Sequence, residues 1–300
     1  MTVFLNDETE LRSGWRFATY VMVYVVVFMV TGAVISEVMS GPVDFGGVDG
    51  LLLTIMTFLP PAVLAFLFML RFVERSPIAA FGVTLHEKWG RDLAAGLILA
   101  LLMAGVFATG VILLGGWTYD TPVGMWPTIV ITTGLLAIAA ASEELVYRGY
   151  PLQALISAVG PIGAVIIMSS LFGLGHLFNP NATWLGTLNV CLAGALLSLA
   201  YLRTRSLWLP YGIHIGWNLL TGVVLGLPVS GVQLNSIWRI DPDGAEWLTG
   251  GSFGPEGGIL ATIAIIAAAV LIGTTRRVDI SPTLRVALRG AASPKRAGHY

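Results

Sequence analysis

Eight apolar runs, most of them near twenty residues long, constrain this chain more than any other feature. They are Phe17 to Ile35, Leu51 to Leu70, Leu93 to Leu114, Trp126 to Val146, Ile162 to Phe178, Trp184 to Leu202, Leu207 to Leu225 and Ile259 to Gly273. A helix needs roughly 20 apolar residues to cross the hydrocarbon core of a bilayer. A transmembrane strand would alternate polar and apolar positions, whereas these runs are continuously apolar, so helix is the only assignment that satisfies the backbone in lipid. The expected fold is an all-α, polytopic membrane bundle forming a single domain over residues 1–300. Composition agrees: 56% of residues are hydrophobic and 11% charged, against roughly 25% charged in soluble domains.

The basic residues orient the bundle. With the N-terminus in the cytoplasm and eight spans threaded, Arg12, Arg16, Arg71, Arg75, Lys88, Arg91, Arg148, Arg203 and Arg205 fall inside. So do Arg276, Arg277, Arg285, Arg289, Lys295 and Arg296 of the tail, leaving Arg239 outside. The outer connections carry Glu37, Asp44, Asp49, Asp120, Asp241, Asp243, Glu246 and Glu256. Both termini are therefore expected in the cytoplasm. The first run follows Arg12 and Arg16 as a signal peptide would, but it lacks a small-residue cleavage pattern and reads as a retained anchor. A net charge of −1 gives no footprint for nucleic acid. The single cysteine, Cys191, rules out an internal disulfide and a cysteine cluster, and reads as a packing residue.

Smaller features complete the plan. Pro60-Pro61 is expected to kink the second span. The connection Pro228 to Gly257 is expected at the membrane interface, and residues 275–300 as a basic, mobile cytoplasmic tail. Gly212 and Gly216 have the spacing of a close helix approach. Asn181-Ala182-Thr183 matches a glycosylation sequon tight against the membrane. The final residues Ala297-Gly298-His299-Tyr300 are not a prenylation box.

Against this apolar background a few polar residues stand out. An ionisable side chain at a helix centre costs roughly 2.5–3.5 kcal/mol on insertion scales, so such residues are functional by default. Glu144 and Arg148 are four apart on the fourth span and share a face, which suits an ion pair. Glu143 is turned about 100° away by the 3.6-residue period, with Tyr147 one turn below, and stays available for chemistry. Taken alone, the trio also fits charges snorkelling at the membrane rim. Phe172-Gly-Leu-Gly-His176 puts a histidine in the fifth span, and His214-Ile-Gly-Trp-Asn218 puts a histidine and an amide on one face of the seventh. Two membrane histidines beside a free carboxylate are harder to read as packing. His86 and His299 lie in basic segments and read as incidental.

Together these groups can activate water against a carbonyl. A carboxylate serves as general base, an imidazole holds or shuttles the proton, and an amide with a second imidazole stabilises an oxyanion. Ser142 points elsewhere on the helix and is no competing nucleophile. The same atoms suit zinc, with Glu143, His176 and His214 as ligands and one open position. However, no His-Glu-x-x-His is present, and no cofactor is the favoured reading, with zinc the alternative.

At this point the residues resemble the CPBP family of intramembrane proteases, also called the CAAX-protease or Abi family. Its three ordered motifs stand as Glu143-Glu144-Leu-Val-Tyr-Arg148, Phe172-Gly-Leu-Gly-His176 and His214-Ile-Gly-Trp-Asn218, within a core of residues 126–225. The resemblance implies Glu143 and His176 as the water-activating pair and His214 with Asn218 as oxyanion donors. Glu144, Arg148 and Phe172 would support them. It implies a cavity open to the cytoplasm and a membrane-anchored protein or peptide substrate, prenylated in eukaryotic members. Other members are tied to immunity, peptide maturation or scaffolding. A prokaryotic plasma membrane is the expected setting. Three readings from different classes stand: an intramembrane endopeptidase, a silent membrane scaffold or immunity-type binding protein, and a proton-coupled transporter.

One conflict is built into this plan. Simple threading puts Glu143 and His214 toward the cytoplasm and His176 toward the outer end of its span. They can meet only if the fourth span sits deeper than drawn, or if Gly149 to Gly160 is itself embedded.

Overall fold

The structure, a computed structural model, describes residues 4–5, 10–38, 46–74, 78–115, 117–120 and 126–292. Six long helices and two shorter ones, in the last two runs, occupy the eight apolar runs. They are α1 (Ser13–Val38), α2 (Gly47–Phe68), α3 (Trp89–Leu114), α4 (Trp126–Arg148), α5 (Tyr150–Gly175), α6 (Trp184–Thr204), α7 (Trp208–Asn218) and α9 (Ile259–Thr274). A single turn, α8 (Glu246–Thr249), precedes α9, and α10 (Pro282–Ala292) follows it. Among the described residues, five helical stretches are long and apolar enough to cross a membrane, the residues from Trp126 to Phe178 counting as one stretch. The protein is thus an all-helical integral membrane protein. A two-stranded antiparallel ribbon pairs β1 (Trp117–Asp120) with β2 (Arg239–Pro242) across two of the connections.

Helices in lipid gain little from apolar contact alone, so small residues that let backbones approach decide which faces pack. The α3–α7 contact shows this directly. A Cβ on Gly96 would lie 2.5 Å from the Leu209 carbonyl, one on Gly212 would lie 2.5 Å from that of Leu93, and one on Gly216 would meet the Ala100 methyl. The Gly212/Gly216 spacing therefore belongs to a specific interface. It fixes the helix that carries His214 and Asn218. Cys191 likewise packs on Gly173, where α5 and α6 touch.

Several expectations change. α2 runs on through Pro60-Pro61 and ends in a π-helical turn, Met69–Val73. A break in helical geometry falls at Gly160-Pro161, where Gly160 has φ 78°. The fifth helix starts at Tyr150 rather than Ile162. Its first half continues α4 toward the end of the bundle that holds Arg16 and Glu74, where the Tyr150 hydroxyl donates to Glu74 at 2.7 Å. After Gly160 the second half of α5 carries Phe172 against Arg148. Residues 150–159 are thus helical, and His176, just past the end of the same helix, lines one cavity with Glu143.

The basic tail is packed where it is described. Leu284 of α10 is buried, Arg203 donates to the Gly273, Thr275 and Val278 carbonyls, and Lys88 pairs with Asp279 at 2.7 Å. Lys295, Arg296 and His299 lie outside the described residues. His86 is not incidental: its ring is buried, and Nε2 lies 2.9 Å from the Ser206 hydroxyl that caps the start of α7. The sequon threonine, Thr183, caps α6 through a bond from the Gly186 amide.

Candidate active site

Local helical geometry sets the first contact. Arg148 Nη1 donates to Glu144 Oε1 at 3.1 Å, the expected pairing one turn apart, and both side chains are buried. Arg148 also reaches the carbonyl of Gly194, halfway along α6 (3.4 Å), which places the pair at mid-height in the bundle. Its guanidinium lies 4.3 Å from the Phe172 ring centroid, a cation–π contact that holds the side chain away from lipid.

Tertiary packing adds the rest. His214 Nδ1 lies 2.8 Å from Glu144 Oε1, so a carboxylate already paired with Arg148 also orients the imidazole of α7. The opposite nitrogen, Nε2, faces Glu143 Oε2 at 3.8 Å. Exposure separates the two neighbouring carboxylates: the Glu143 side chain retains 22% of its surface and that of Glu144 retains 1%. His176 Nδ1 lies 2.8 Å from the Phe172 carbonyl. A carbonyl can only accept, so Nδ1 carries a hydrogen, and in the neutral ring Nε2 of His176 is the nitrogen with the lone pair. Phe172 makes edge contacts with both imidazoles, at centroid distances of 4.7 Å to His176 and 6.1 Å to His214.

Glu143, His176, His214 and Asn218 all line one cavity of ≈ 640 Å³. Tyr147 lines it too, and most of the remaining wall is apolar, including Phe28, Leu51 and Leu136. α4 contributes Glu143, the turn following α5 contributes His176, and α7 contributes His214 and Asn218. Immediately after Asn218 the chain loosens into a π-helix, Leu219–Val224, a feature frequent at functional sites. Ser142 is buried and donates to the Ile138 carbonyl, so it does not face the cavity as a nucleophile.

Two arrangements need separating from this site. Ser206, His86 and Asp92 come together elsewhere, but serine and carboxylate both face the same ring nitrogen, Nε2. A hydrolytic triad needs them on opposite nitrogens. This cluster holds the start of α7. As to zinc, no three His, Cys, Asp or Glu side chains among the described residues are arranged to hold a metal ion.

One cavity residue escaped the sequence reading. Glu256, assigned there to an outer connection, is buried and lines the same cavity. The connection from Pro228 to Gly257 buries Val229, Leu234, Leu248 and Phe253 as well as Glu256 against the bundle. The signal in the sequence is an acid flanked by glycines, Gly254-Pro-Glu256-Gly-Gly258, directly before an apolar run.

Residues 123–220 match the family model of the Rce1-like proteins, type II CAAX prenyl endopeptidase Rce1-like. No curated protein matches the chain. The matched segment, about a third of the chain, contains all seven of the residues singled out from the three motifs. A helical membrane bundle enclosing a largely apolar cavity with a few polar side chains therefore carries a protease-family domain. The match agrees with the resemblance of the three motifs to the CPBP, or CAAX-protease, family.

Proposed function

We propose that this protein is an intramembrane endopeptidase that hydrolyses a peptide bond of a membrane-associated substrate with water activated by Glu143. The observation that carries the reading is the opening of Glu143, His176, His214 and Asn218 onto one largely apolar cavity. Glu143 is the carboxylate with access to that space, while Glu144 is spent on Arg148 and His214. In the reaction, Glu143 takes a proton from water as the water oxygen attacks the substrate carbonyl carbon. His176, with its Nε2 lone pair free, shares that proton. Asn218, through its amide, and His214, through an Nε2–H in its doubly protonated form, donate to the oxygen that becomes negative. The C–N bond then breaks and the stored proton passes to the leaving amine, giving a carboxylic acid and an amine.

The reading is metal-free, and no step is routed through an ion. The apolar wall suits a lipid-anchored chain end, a prenylated one being the family's implied class. Eight spans with both ends cytoplasmic, in a prokaryotic plasma membrane, complete the proposal. The family match and the cavity favour hydrolysis over a silent scaffold or a proton-coupled transporter.

The test is cleavage of reporter peptides, with and without a prenylcysteine, by the purified protein and by Glu143→Gln. A general base contributes about 10²–10⁴-fold, so kcat is expected to fall by that factor with the melting temperature unchanged. Cleavage by Glu143→Gln at the wild-type rate would overturn the assignment.

A further inference from the structure

The carboxylate of Glu256 plays no part in the reaction above, yet it is buried and both its oxygens are engaged. Trp217 Nε1 donates to Oε1 at 2.7 Å, and the Ser230 amide donates to Oε2 at 3.3 Å. Trp217 sits between His214 and Asn218 on α7. Ser230 makes a second connection, because its carbonyl accepts from Asn179 Nδ2 at 2.9 Å. Asn179 in turn closes the short turn that begins at His176, its amide donating to the His176 carbonyl at 3.1 Å. A continuous hydrogen-bonded bracket therefore runs Trp217, Glu256, Ser230, Asn179, and its ends flank the two histidine-bearing elements.

The bracket is itself anchored. Asn189 of α6 donates to the Glu256 and Gly258 carbonyls at 2.7 and 2.9 Å, and Thr262 of α9 donates to Asn189 Oδ1 at 2.6 Å. Backbone contacts close around it without room for side chains: a Cβ on Gly231 would meet the Pro180 carbonyl oxygen at 1.9 Å, and one on Gly254 that of Pro228 at 1.9 Å. The α7 helix and the turn at His176 share no covalent connection shorter than the whole of α6. Their relative position is set by packing and by this bracket.

We infer that Glu256 is a positioning residue for the cavity, setting the spacing between the His176 turn and the His214/Asn218 helix through Ser230 and Trp217. It lies outside the three motifs and beyond the matched segment, which ends at residue 220. The catalytic consequence rests on the proteolytic reading above; the geometric one does not.

The experiment combines backbone hydrogen exchange with cleavage kinetics on the full-length protein in nanodiscs, comparing wild type with Glu256→Ala, Glu256→Gln and Trp217→Phe. In Glu256→Ala, exchange is expected to quicken together in residues 228–234 and 176–180. The kcat is expected to fall at least ~10-fold with KM within about twofold, as for a misplacement of a fraction of the 1 Å that costs about 10²-fold. Glu256→Gln, which keeps an acceptor for Trp217, recovers part of kcat. Trp217→Phe, which keeps the ring and loses the donor, gives the paired exchange response even where Glu256→Ala does not fold. Quickened exchange in 228–234 alone, or an unchanged kcat in a folded Glu256→Ala protein that cleaves as wild type, overturns the inference. If wild type cleaves no peptide, the proteolytic reading fails, and the exchange pattern alone decides the bracket.

Discussion

His214 of α7 and Glu144 of α4 meet across 2.8 Å, Nδ1 against Oε1, although seventy residues separate them in the chain. The same carboxylate oxygen accepts from Arg148. One buried acid thus holds a cation on its own helix and aims an imidazole on another, which leaves His214 Nε2 turned toward Glu143 and the cavity.

Glu144→Gln is expected to lower kcat far more than it raises KM. The neutral amide keeps the shape but weakens the bond that orients His214, and loss of orientation at a reacting centre costs about 10²-fold for 1 Å. Steady-state cleavage of a reporter peptide gives the answer. A fall confined to KM would show that Glu144 serves substrate binding instead.

Arg148→Met tests the ion pair. Removing one partner of a buried pair leaves an uncompensated charge and costs about 3–5 kcal/mol, so the variant is expected to melt well below wild type in detergent. The double variant Glu144→Gln with Arg148→Met removes both charges and is expected to regain much of that stability while staying poorly active. Melting of Arg148→Met at the wild-type temperature would contradict the pairing.

The His86 ring supplies a pH dependence of stability. Burial lowers its affinity for a proton below the ordinary histidine value; Glu87 opposes the shift and Lys88 reinforces it. The unfolded chain therefore binds this proton more tightly than the folded one. By linkage, stability falls as pH drops through about 6.5, the ordinary histidine value. Nδ1 already accepts from the Lys88 amide at 3.1 Å, so the folded ring has no place for a second hydrogen there. Melting temperatures at pH 7.5 and 5.5 are expected to differ in wild type and to differ less in His86→Gln.

Activity is expected to survive prolonged chelation, with no stoichiometric zinc found by elemental analysis of the active protein. Loss of cleavage on chelation, restored by zinc at one equivalent, would replace the water-activation scheme with a metal-centred one.

Much of this protein is legible along the chain because it depends on local order. A run such as Leu93 to Leu114 has to be helical in lipid whatever surrounds it, since no water is present to satisfy its backbone. The Glu144–Arg148 contact follows from one turn of one helix, and the separation of Glu143 from it follows from the same period. The three motifs supplied the candidate residues for the same reason: each is four-spaced on a single helix or helix end.

What the chain could not display is how those helices stand against one another. Residues 150–159 contain Gln153 and Ser157 and end in Gly160-Pro161, which reads as a connection until Tyr150 is seen packed on Tyr20 and hydrogen-bonded to Glu74. His176, just past the end of the same helix, shares the cavity with Glu143. Glu256 and His86 resemble ordinary loop residues in sequence, and only the contacts with Trp217, Ser230 and Ser206 bury them. Helix formation and intrahelical pairing are short-range and were determined by the sequence by itself. The meeting of α4, α7 and the His176 turn around one cavity was decided only in three dimensions, where glycine-mediated helix approach and cross-helix hydrogen bonds select one packing.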